Sequence, residues 1–206
     1  MQVQHIKGIR IVNIGPGEHY TSAEPEIIKT LLGSCVAVCL FDPVSNLIGM
    51  NHFLLAKDKL QRSSLRDPRA GYYGVHAMEL LINSLVKLGA KKNRLQAKVF
   101  GGANVLKTLD GDIPNHYDVG NLNVDFALAF LTRERIPIVS TDVRGNTGRV
   151  IYFDPGDFSV YRNDIERLDD GELISQTAAI GGEKEAKSKP TNMENLENWL
   201  NEVRDS

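Results

Sequence analysis

Cys35 and His52 are the two side chains whose types and spacing suggest catalysis. A cysteine thiol becomes a potent nucleophile when an imidazole takes its proton, and the two residues stand seventeen positions apart. The turn residues at 42–46 predict a β-hairpin that folds one of them back towards the other. With Phe41 opposite Asn46 across a four-residue loop, Cys35 is predicted to lie directly opposite His52. Directly opposed side chains share a face of the sheet and have Cβ atoms about 4.5–5.5 Å apart.

Three residues upstream of Cys35 complete this candidate site. Gly33 lets the backbone turn tightly, so that amide N–H groups around Ser34 and Cys35 face a developing oxyanion. Thr30 is placed to orient the imidazole of His52. Nucleophile, base, orienting group and oxyanion donors are together what a cysteine acyl-transfer enzyme needs. A neighbouring imidazolium is also predicted to lower the pKa of the Cys35 thiol.

A purely structural role for Cys35 has to be weighed against this chemistry. Cysteine is among the most buried residue types, and a cysteine on an apolar strand with a histidine downstream often occurs by chance. Spacing alone therefore leaves both roles open for Cys35. Cys39 stands between Val38 and Leu40 in the same apolar run, and we predict a core position for it.

The cysteines and histidines do not indicate a disulfide or a metal centre. Four strand residues separate the Cα atoms of Cys35 and Cys39 by about 13 Å, well beyond the limit of about 7 Å for a disulfide. Two thiols are too few for a four-cysteine zinc site, and the histidines show no tight ligand spacing at positions 5, 19, 52, 76 and 116. We expect neither a metal nor a cofactor.

Short strands and two helices are the elements that must position these groups. Apolar residues at helical spacing predict one helix from Gly74 to the stop at Gly89 and a second around 124–131. Apolar or alternating runs predict strands at 7–14, 27–32, 35–41, 47–55, 97–100, 138–142, 149–153 and 158–162. The turn at 143–148 is predicted to join two of them as a hairpin, and the polar stretch 57–72 is a candidate lid. The fold class is therefore mixed α/β.

Composition narrows the class of protein. The chain has 206 residues, of which 42% are hydrophobic and 24% are charged, as expected for one ordinary globular domain. Its formal net charge of −2 provides no basic field to hold nucleic acid or anionic lipid. No run approaches the roughly 18 apolar residues of a membrane helix, and the N-terminus lacks a secretion signal. We expect a cytoplasmic protein.

The C-terminal part of the chain differs from the rest in composition. We predict a domain over residues 1–175, followed at 176–206 by a flexible linker and a short amphipathic segment. The apolar residues of that segment recur at helical spacing, at Met193, Leu196, Trp199, Leu200 and Val203. A helix this short is not stable alone in water, so it either docks on its own domain or serves as a tethered recognition helix.

Several separated motifs, in order, resemble the CheD family. The first runs from Leu32 to Cys39, with Asp42-Pro43 and with Gly49-Met50-Asn51-His52 on the second arm of the hairpin. The others are Tyr73-Gly74, Gly89-Ala90, Lys98-Val99-Phe100-Gly101-Gly102-Ala103, Gly120 with Asn123-Val124, and Asp142 with Gly145-Asn146 and Arg149. The resemblance covers roughly residues 8–162, and the number of matched motifs makes it specific.

This resemblance implies a site and a fold. The family has a Cys-His-Thr triad and shares a mixed-sheet layered sandwich with glutamine-deamidating bacterial toxins; Cys35 matches the nucleophile and His52 the base. The family threonine can stand one position further from the cysteine, at Lys29 here, so whether Thr30 or another residue orients His52 stays open. A second departure is Leu122, where the family often has arginine. The residues expected to contact substrate are Ser34, Gly101, Gly102, Asp142, Asn146 and Arg149; polar residues in the loop at 142–149 also fit a merely solvated turn.

The resemblance also implies an activity. Its members hydrolyse glutamine side chains of chemotaxis receptors to glutamate, and we expect this through a thioester on Cys35, with no cofactor. The expected partners are the cytoplasmic domain of a chemoreceptor and a CheC-type phosphatase. Two alternatives use the same surface: a non-catalytic adaptor that binds receptor and phosphatase, and an esterase acting on methylated receptor glutamates.

Overall fold

Two mixed β-sheets lie face to face in the computed structural model, which describes residues 1–6, 8–55, 68–104, 119–167 and 173–180. In these ranges one sheet has six strands and the other five. The six-stranded sheet has the order β1 (Gln2–Ile6), β2 (Ile9–Asn13), β4 (Ile27–Leu32), β9 (Gly148–Phe153), β10 (Val160–Arg167) and β11 (Leu173–Ile180). The five-stranded sheet has the order β3 (His19–Ser22), β6 (Leu47–Phe53), β5 (Val36–Asp42), β7 (Gln96–Gly101) and β8 (Ile138–Val143). The helices are α1 (Pro68–Leu88) and α2 (Val119–Arg133).

Two apolar layers hold these elements together, and β5 contributes to both. All seven residues of β5 are buried, because its alternate side chains face opposite layers. Val36, Val38 and Leu40 pack with residues of α1 and α2. Ala37, Cys39 and Phe41 pack between the two sheets, and the predicted core position of Cys39 is confirmed. Burying a large apolar side chain contributes about 1.5–3 kcal/mol. The mixed α/β class is confirmed.

The predicted hairpin is confirmed as β5 and β6, but its predicted register is wrong. Phe41 lies opposite Ile48 rather than Asn46, and His52 lies opposite Ala37 rather than Cys35. The turn begins later because Asp42 stays in the strand, where its buried carboxylate accepts hydrogen bonds from Arg94 on a distant part of the chain. The shift is two positions, so the side-chain alternation is preserved and Cys35 stays on the face of His52.

Helix α1 differs from its prediction at its start and agrees at its end. It begins at Pro68, so residues 68–72 of the candidate lid belong to a helix, and residues 56–67 lie outside the described residues. Gly89 stops the helix as predicted, with φ +111°. The Gly89 N–H donates to Val86 and the Ala90 N–H to Leu85, which is a Schellman cap. No helix in the described ranges is long and apolar enough to cross a membrane.

The strands around the turn at 143–148 do not form the predicted hairpin. β8 pairs in parallel with β7, whereas β9 pairs antiparallel with β4, so the chain crosses here from one sheet to the other. The buried Arg149 holds this crossing, because its guanidinium donates to the carbonyls of Asp142 and Arg144. The strand that follows, β10, pairs antiparallel with β9.

The last described strand crosses the domain boundary that the composition predicts. β11 pairs with β10 along its whole length and continues to Ile180, five residues beyond position 175. Residues 181–206, which contain the rest of the predicted linker and the amphipathic segment, lie outside the described residues.

Candidate active site

Cys35 lies in the short connection that carries the chain from β4 in one sheet to β5 in the other. Backbone hydrogen bonds hold this connection: the N–H of Gly102 donates to the carbonyl of Cys35 at 2.7 Å, and that of Ala103 to Gly33 at 2.8 Å. Gly101 has φ +104°, and a Cβ there would lie 2.3 Å from the Cys35 carbonyl oxygen. The turn at Gly101 and Gly102 therefore lies directly against the backbone of the candidate nucleophile.

Asn123 on α2 is a second support for this connection. It is fully buried, its Nδ2 donates to the carbonyl of Ser34 at 2.8 Å, and its Oδ1 accepts from the N–H of Leu55 at 2.9 Å. The side chain thus ties the Cys35 connection to the chain just after β6. The sequence patterns assign no role to Asn123. The available signal was a polar residue one position before Val124, on the apolar stripe of a helix.

His52 on β6 contacts Thr30 on the facing strand β4. The Thr30 Oγ1 lies 2.7 Å from His52 Nδ1 and also 2.7 Å from the Ile14 carbonyl oxygen. A hydroxyl has one proton, and a carbonyl can only accept. Thr30 therefore donates to Ile14, and its oxygen accepts the proton on His52 Nδ1. This leaves Nε2 as the unprotonated ring nitrogen, and Nε2 is buried with no hydrogen-bond partner.

A pocket of about 330 Å³ opens at this point and contains both candidate reactive groups. It is lined by Asn13, Ile14, Gly15, Pro16, Leu31, Gly33, Cys35 and His52. The turn that follows Ile14 is fixed to the imidazole-bearing strand, because the backbone of His52 exchanges hydrogen bonds with Gly17 and Glu18. Cys35 is partly exposed in this pocket, while Cys39 is buried. An incoming side chain therefore meets the Cys35 thiol and the imidazole together.

Burial sets the protonation of the resting pair. It raises the pKa of the Cys35 thiol, and it lowers the pKa of His52 to about 4. The negative charge of Glu18 opposes the second effect without reversing it. Near neutral pH the pair is thus an uncharged thiol and an uncharged imidazole. The predicted lowering of the thiol pKa is wrong for the resting site, because the predicted imidazolium is absent from it. Activation then requires Nε2 to take the thiol proton during attack.

Of the three residues predicted to contact substrate at the loop after β8, Asp142 and Arg149 form an ion pair with each other. The Asp142 carboxylate pairs with Arg149 at 3.0 Å and with Arg162 at 2.7 Å. The Asn146 side chain is exposed on this loop. The loop itself lies beside the site, since the N–H of Arg144 donates to the Gly101 carbonyl. These three residues and Ser34, Gly101 and Gly102 are not among the described residues that line the pocket.

Among the described residues no group of three or more His, Cys, Asp or Glu side chains is arranged to hold a metal ion. The pocket instead presents one thiol, one imidazole nitrogen with a free lone pair, and backbone groups.

The chain is similar to one described protein family and to named proteins from two bacteria. A sequence model of the family described as CheD chemotactic sensory transduction matches residues 54–164. A Shewanella oneidensis protein named probable chemoreceptor glutamine deamidase CheD 2 is 63% identical over 156 residues, which are 76% of this chain and 77% of that one. A Geobacter sulfurreducens protein named probable chemoreceptor glutamine deamidase CheD 1 is 41% identical over 201 residues, which are 97% of this chain and 99% of that one.

Among solved structures, the hypothetical protein YfiH of Bacillus licheniformis matches with a TM-score of 0.37 and 13% identity, covering 60% of this chain and 49% of that one. A similarity this low carries no inference about the present chain. The family match covers just over half of the chain, and the two relatives are 63% and 41% identical to it over more than two thirds of its length. The chain belongs to the CheD family.

Proposed function

We propose that this protein hydrolyses glutamine side chains of chemoreceptors to glutamate, as the names of its relatives state for them. One observation carries the proposal. Cys35 and His52 line the same pocket, and the imidazole has Nδ1 bound to Thr30 while Nε2 is free to accept a proton. A protein with only a binding role has no need of this arrangement.

In the first step the Cys35 Sγ attacks the carboxamide carbon of the glutamine. His52 Nε2 takes the thiol proton as the C–S bond forms, and the carbonyl oxygen becomes an oxyanion. Backbone N–H groups of the connection around Ser34 and Cys35 stabilise that charge. The tetrahedral species then collapses, the C–N bond breaks, and His52 gives its proton to the departing ammonia. A thioester remains on Cys35.

In the second step water replaces the thiol. His52 Nε2 takes a proton from water, the resulting hydroxide attacks the thioester carbon, and the C–S bond breaks. The thiolate recovers its proton from the imidazolium, so the site returns to its starting state. The sum is one amide and one water converted to a carboxylic acid and ammonia, with no redox change and no cofactor.

The substrate is the cytoplasmic domain of a chemoreceptor, so the protein acts in the cytoplasm. Deamidation adds one negative charge to a receptor helix, which is a change of the kind that biases a two-state signalling element. Asp142, Asn146 and Arg149 are proposed to contact the receptor outside the pocket. A CheC-type phosphatase is the proposed second partner. The resemblance to the fold of glutamine-deamidating toxins stays a prediction.

The test is ammonia release from a purified receptor cytoplasmic domain, with mass spectrometry to locate new glutamates. Cys35→Ala should abolish release, whereas the matched variant Cys39→Ala should retain it. Receptor binding is measured for both variants. If Cys35→Ala binds and releases as much ammonia as the parent protein, the catalytic proposal is wrong. If neither the parent protein nor the variants release ammonia but all of them bind the receptor, the adaptor function is correct. Methanol released from a methylated receptor would instead identify an esterase.

A further inference from the structure

The outer face of the six-stranded sheet contains buried residues, although neither described helix packs on it. Residues of this sheet that face the five-stranded sheet are Val12, Ile28 and Ile151, among others. Their neighbours Ile11, Ile27 and Tyr152 point the opposite way by strand alternation, onto what we call the back face. These three are 0%, 4% and 3% exposed.

Only part of the back face is buried, as two residues of strand β4 show. Ile27 and Leu31 of β4 lie on the same face, yet Leu31 is 54% exposed and Ile27 only 4%. Among the described elements, both helices pack against the opposite side of the molecule, on the five-stranded sheet. A covering group therefore lies over the Ile27 end of the back face and not over the Leu31 end.

The patch under that cover is mostly apolar with one cation. Ile6, Ile9, Val150 and Tyr161 surround the three buried residues and are themselves partly buried. The Lys29 Nζ lies 5.3 Å from the centre of the Tyr152 ring. Burial lowers the pKa of Lys29 and raises that of Tyr152 to about 12, so both polar groups are withdrawn from water. An occupant of this patch needs an apolar face and benefits from a negative charge.

The chain leaves the sheet beside this patch. Ile28, Phe153, Val160 and Ile180 form one row of register partners across β4, β9, β10 and β11. Three strand spacings, about 14 Å, therefore separate the end of β11 from the row next to Ile27. The twelve residues 181–192 can extend to about 40 Å, which is more than enough to return over the back face.

The segment that follows has the properties that the patch needs. Residues 193–203 have five apolar side chains at helical spacing, and Glu194, Glu197 and Glu202 give the segment a negative charge that complements Lys29. Attachment through a short linker gives this segment a high effective concentration at the patch. We propose that the segment 193–203 packs on the back face of its own chain, over Ile27 and Tyr152, with Trp199 as its largest anchor.

The only tryptophan of the chain lies in this segment, so its fluorescence reports the docking directly. In the full-length protein, Trp199 emission should be blue-shifted and several-fold less quenched by acrylamide than in a synthetic peptide of residues 181–206. Dilution should not change the quenching, since the contact is within one chain. Leu196→Lys should raise quenching to the level of the peptide, and the matched change Asn198→Lys on the polar side should not.

A second pair of variants tests the patch itself. Ile27→Lys should expose Trp199, whereas Leu31→Lys on the same face of the same strand should leave it protected. If Ile27→Lys does not fold, the variants Leu196→Lys and Asn198→Lys still test the proposal. If acrylamide quenches Trp199 in the full-length protein as strongly as in the peptide, the proposal is wrong. If the protection of Trp199 disappears on dilution, the occupant of the patch is a second copy of the chain. If Trp199 is protected only after receptor is added, the segment is a tethered recognition helix. Either outcome also overturns the proposal.

Discussion

Cys35 lies just before strand β5 and Cys39 in its middle, four residues apart, and both contact the apolar layer between the sheets. Cys35 is partly exposed, next to the glycine-rich turn, in a pocket that also contains His52. Cys39 is completely buried opposite Lys98 of β7, and burial raises the pKa of its thiol far above the ordinary range.

The comparison shows that position, rather than residue type, separates a reactive thiol from a structural one. The connection at Gly33 places Cys35 outside the regular strand, in a pocket that it shares with His52, whose Nε2 has no hydrogen-bond partner. Four residues later the regular strand resumes, and the same side chain only fills space.

Removing each thiol should have opposite consequences for activity and stability. Cys35→Ala should lower the rate of deamidation by about 10³-fold or more, since the covalent route is lost. Cys39→Ala should retain activity and lower the free energy of unfolding by about 1–2 kcal/mol, because it removes a buried side chain. Ammonia release and urea denaturation measure the two effects. Equal activity losses in both variants would contradict the distinction between the two positions.

Alkylation in the folded protein should label Cys35 well before Cys39. An ordinary cysteine is half ionised at a pH of about 8.5. Because burial raises the pKa of Cys35, its alkylation rate should keep rising with pH above that value. Cys39 should react only on unfolding. Mass spectrometry after iodoacetamide treatment at several pH values gives both rates. A Cys35 rate that reaches its plateau below pH 7 would instead indicate a preformed thiolate and imidazolium.

The Thr30 hydroxyl should matter through the orientation of His52. Thr30→Val keeps the shape of the side chain but removes the oxygen that accepts the Nδ1 proton, and we expect kcat to fall about 10- to 100-fold. Thr30→Ser keeps that oxygen and should recover most of the rate. A nitrogen NMR spectrum of His52 should show the Nδ1-protonated ring in the parent protein and a mixture of tautomers in Thr30→Val. Identical rates for the two variants would exclude an orienting role.

Asn123 should have the smallest of these effects, because it acts on the backbone of the site. Asn123→Asp keeps an acceptor for the Leu55 N–H but has no donor for the Ser34 carbonyl. We expect kcat to fall about tenfold with little change in KM, since only the turn carrying Cys35 is displaced. Asn123→Ala should add a loss of about 1–3 kcal/mol in stability, because it leaves both buried backbone groups unpaired. A change in KM alone would assign Asn123 to substrate binding.

Local patterns were enough to predict the hairpin and the end of α1. The turn residues after Phe41 and the glycine at 89 act within a few residues of themselves, so their signals are visible in the sequence. The register of the hairpin was not visible, because Asp42 is held in the strand by Arg94, fifty-two residues away. The same holds for the crossing after β8, where the buried Arg149 selects between two sheets.

The candidate site shows the same division. Cys35, His52 and Thr30 were identifiable because their types and spacing, together with the family resemblance, define a known chemistry. Asn123 was not assigned, because its role depends on the packing of α2 against a turn eighty-nine residues earlier. The protonation of the resting pair also required the structure, since the extent of burial decides it.

The most direct test of the account is to trap the covalent intermediate. A receptor-helix peptide containing a target glutamine is mixed with the protein, quenched in acid within one turnover, and examined by mass spectrometry with fragmentation of the segment that contains both cysteines. We predict a thioester between the peptide and Cys35, absent from Cys39, that decays as glutamate forms. Deamidation that proceeds without an adduct and survives in Cys35→Ala would contradict it.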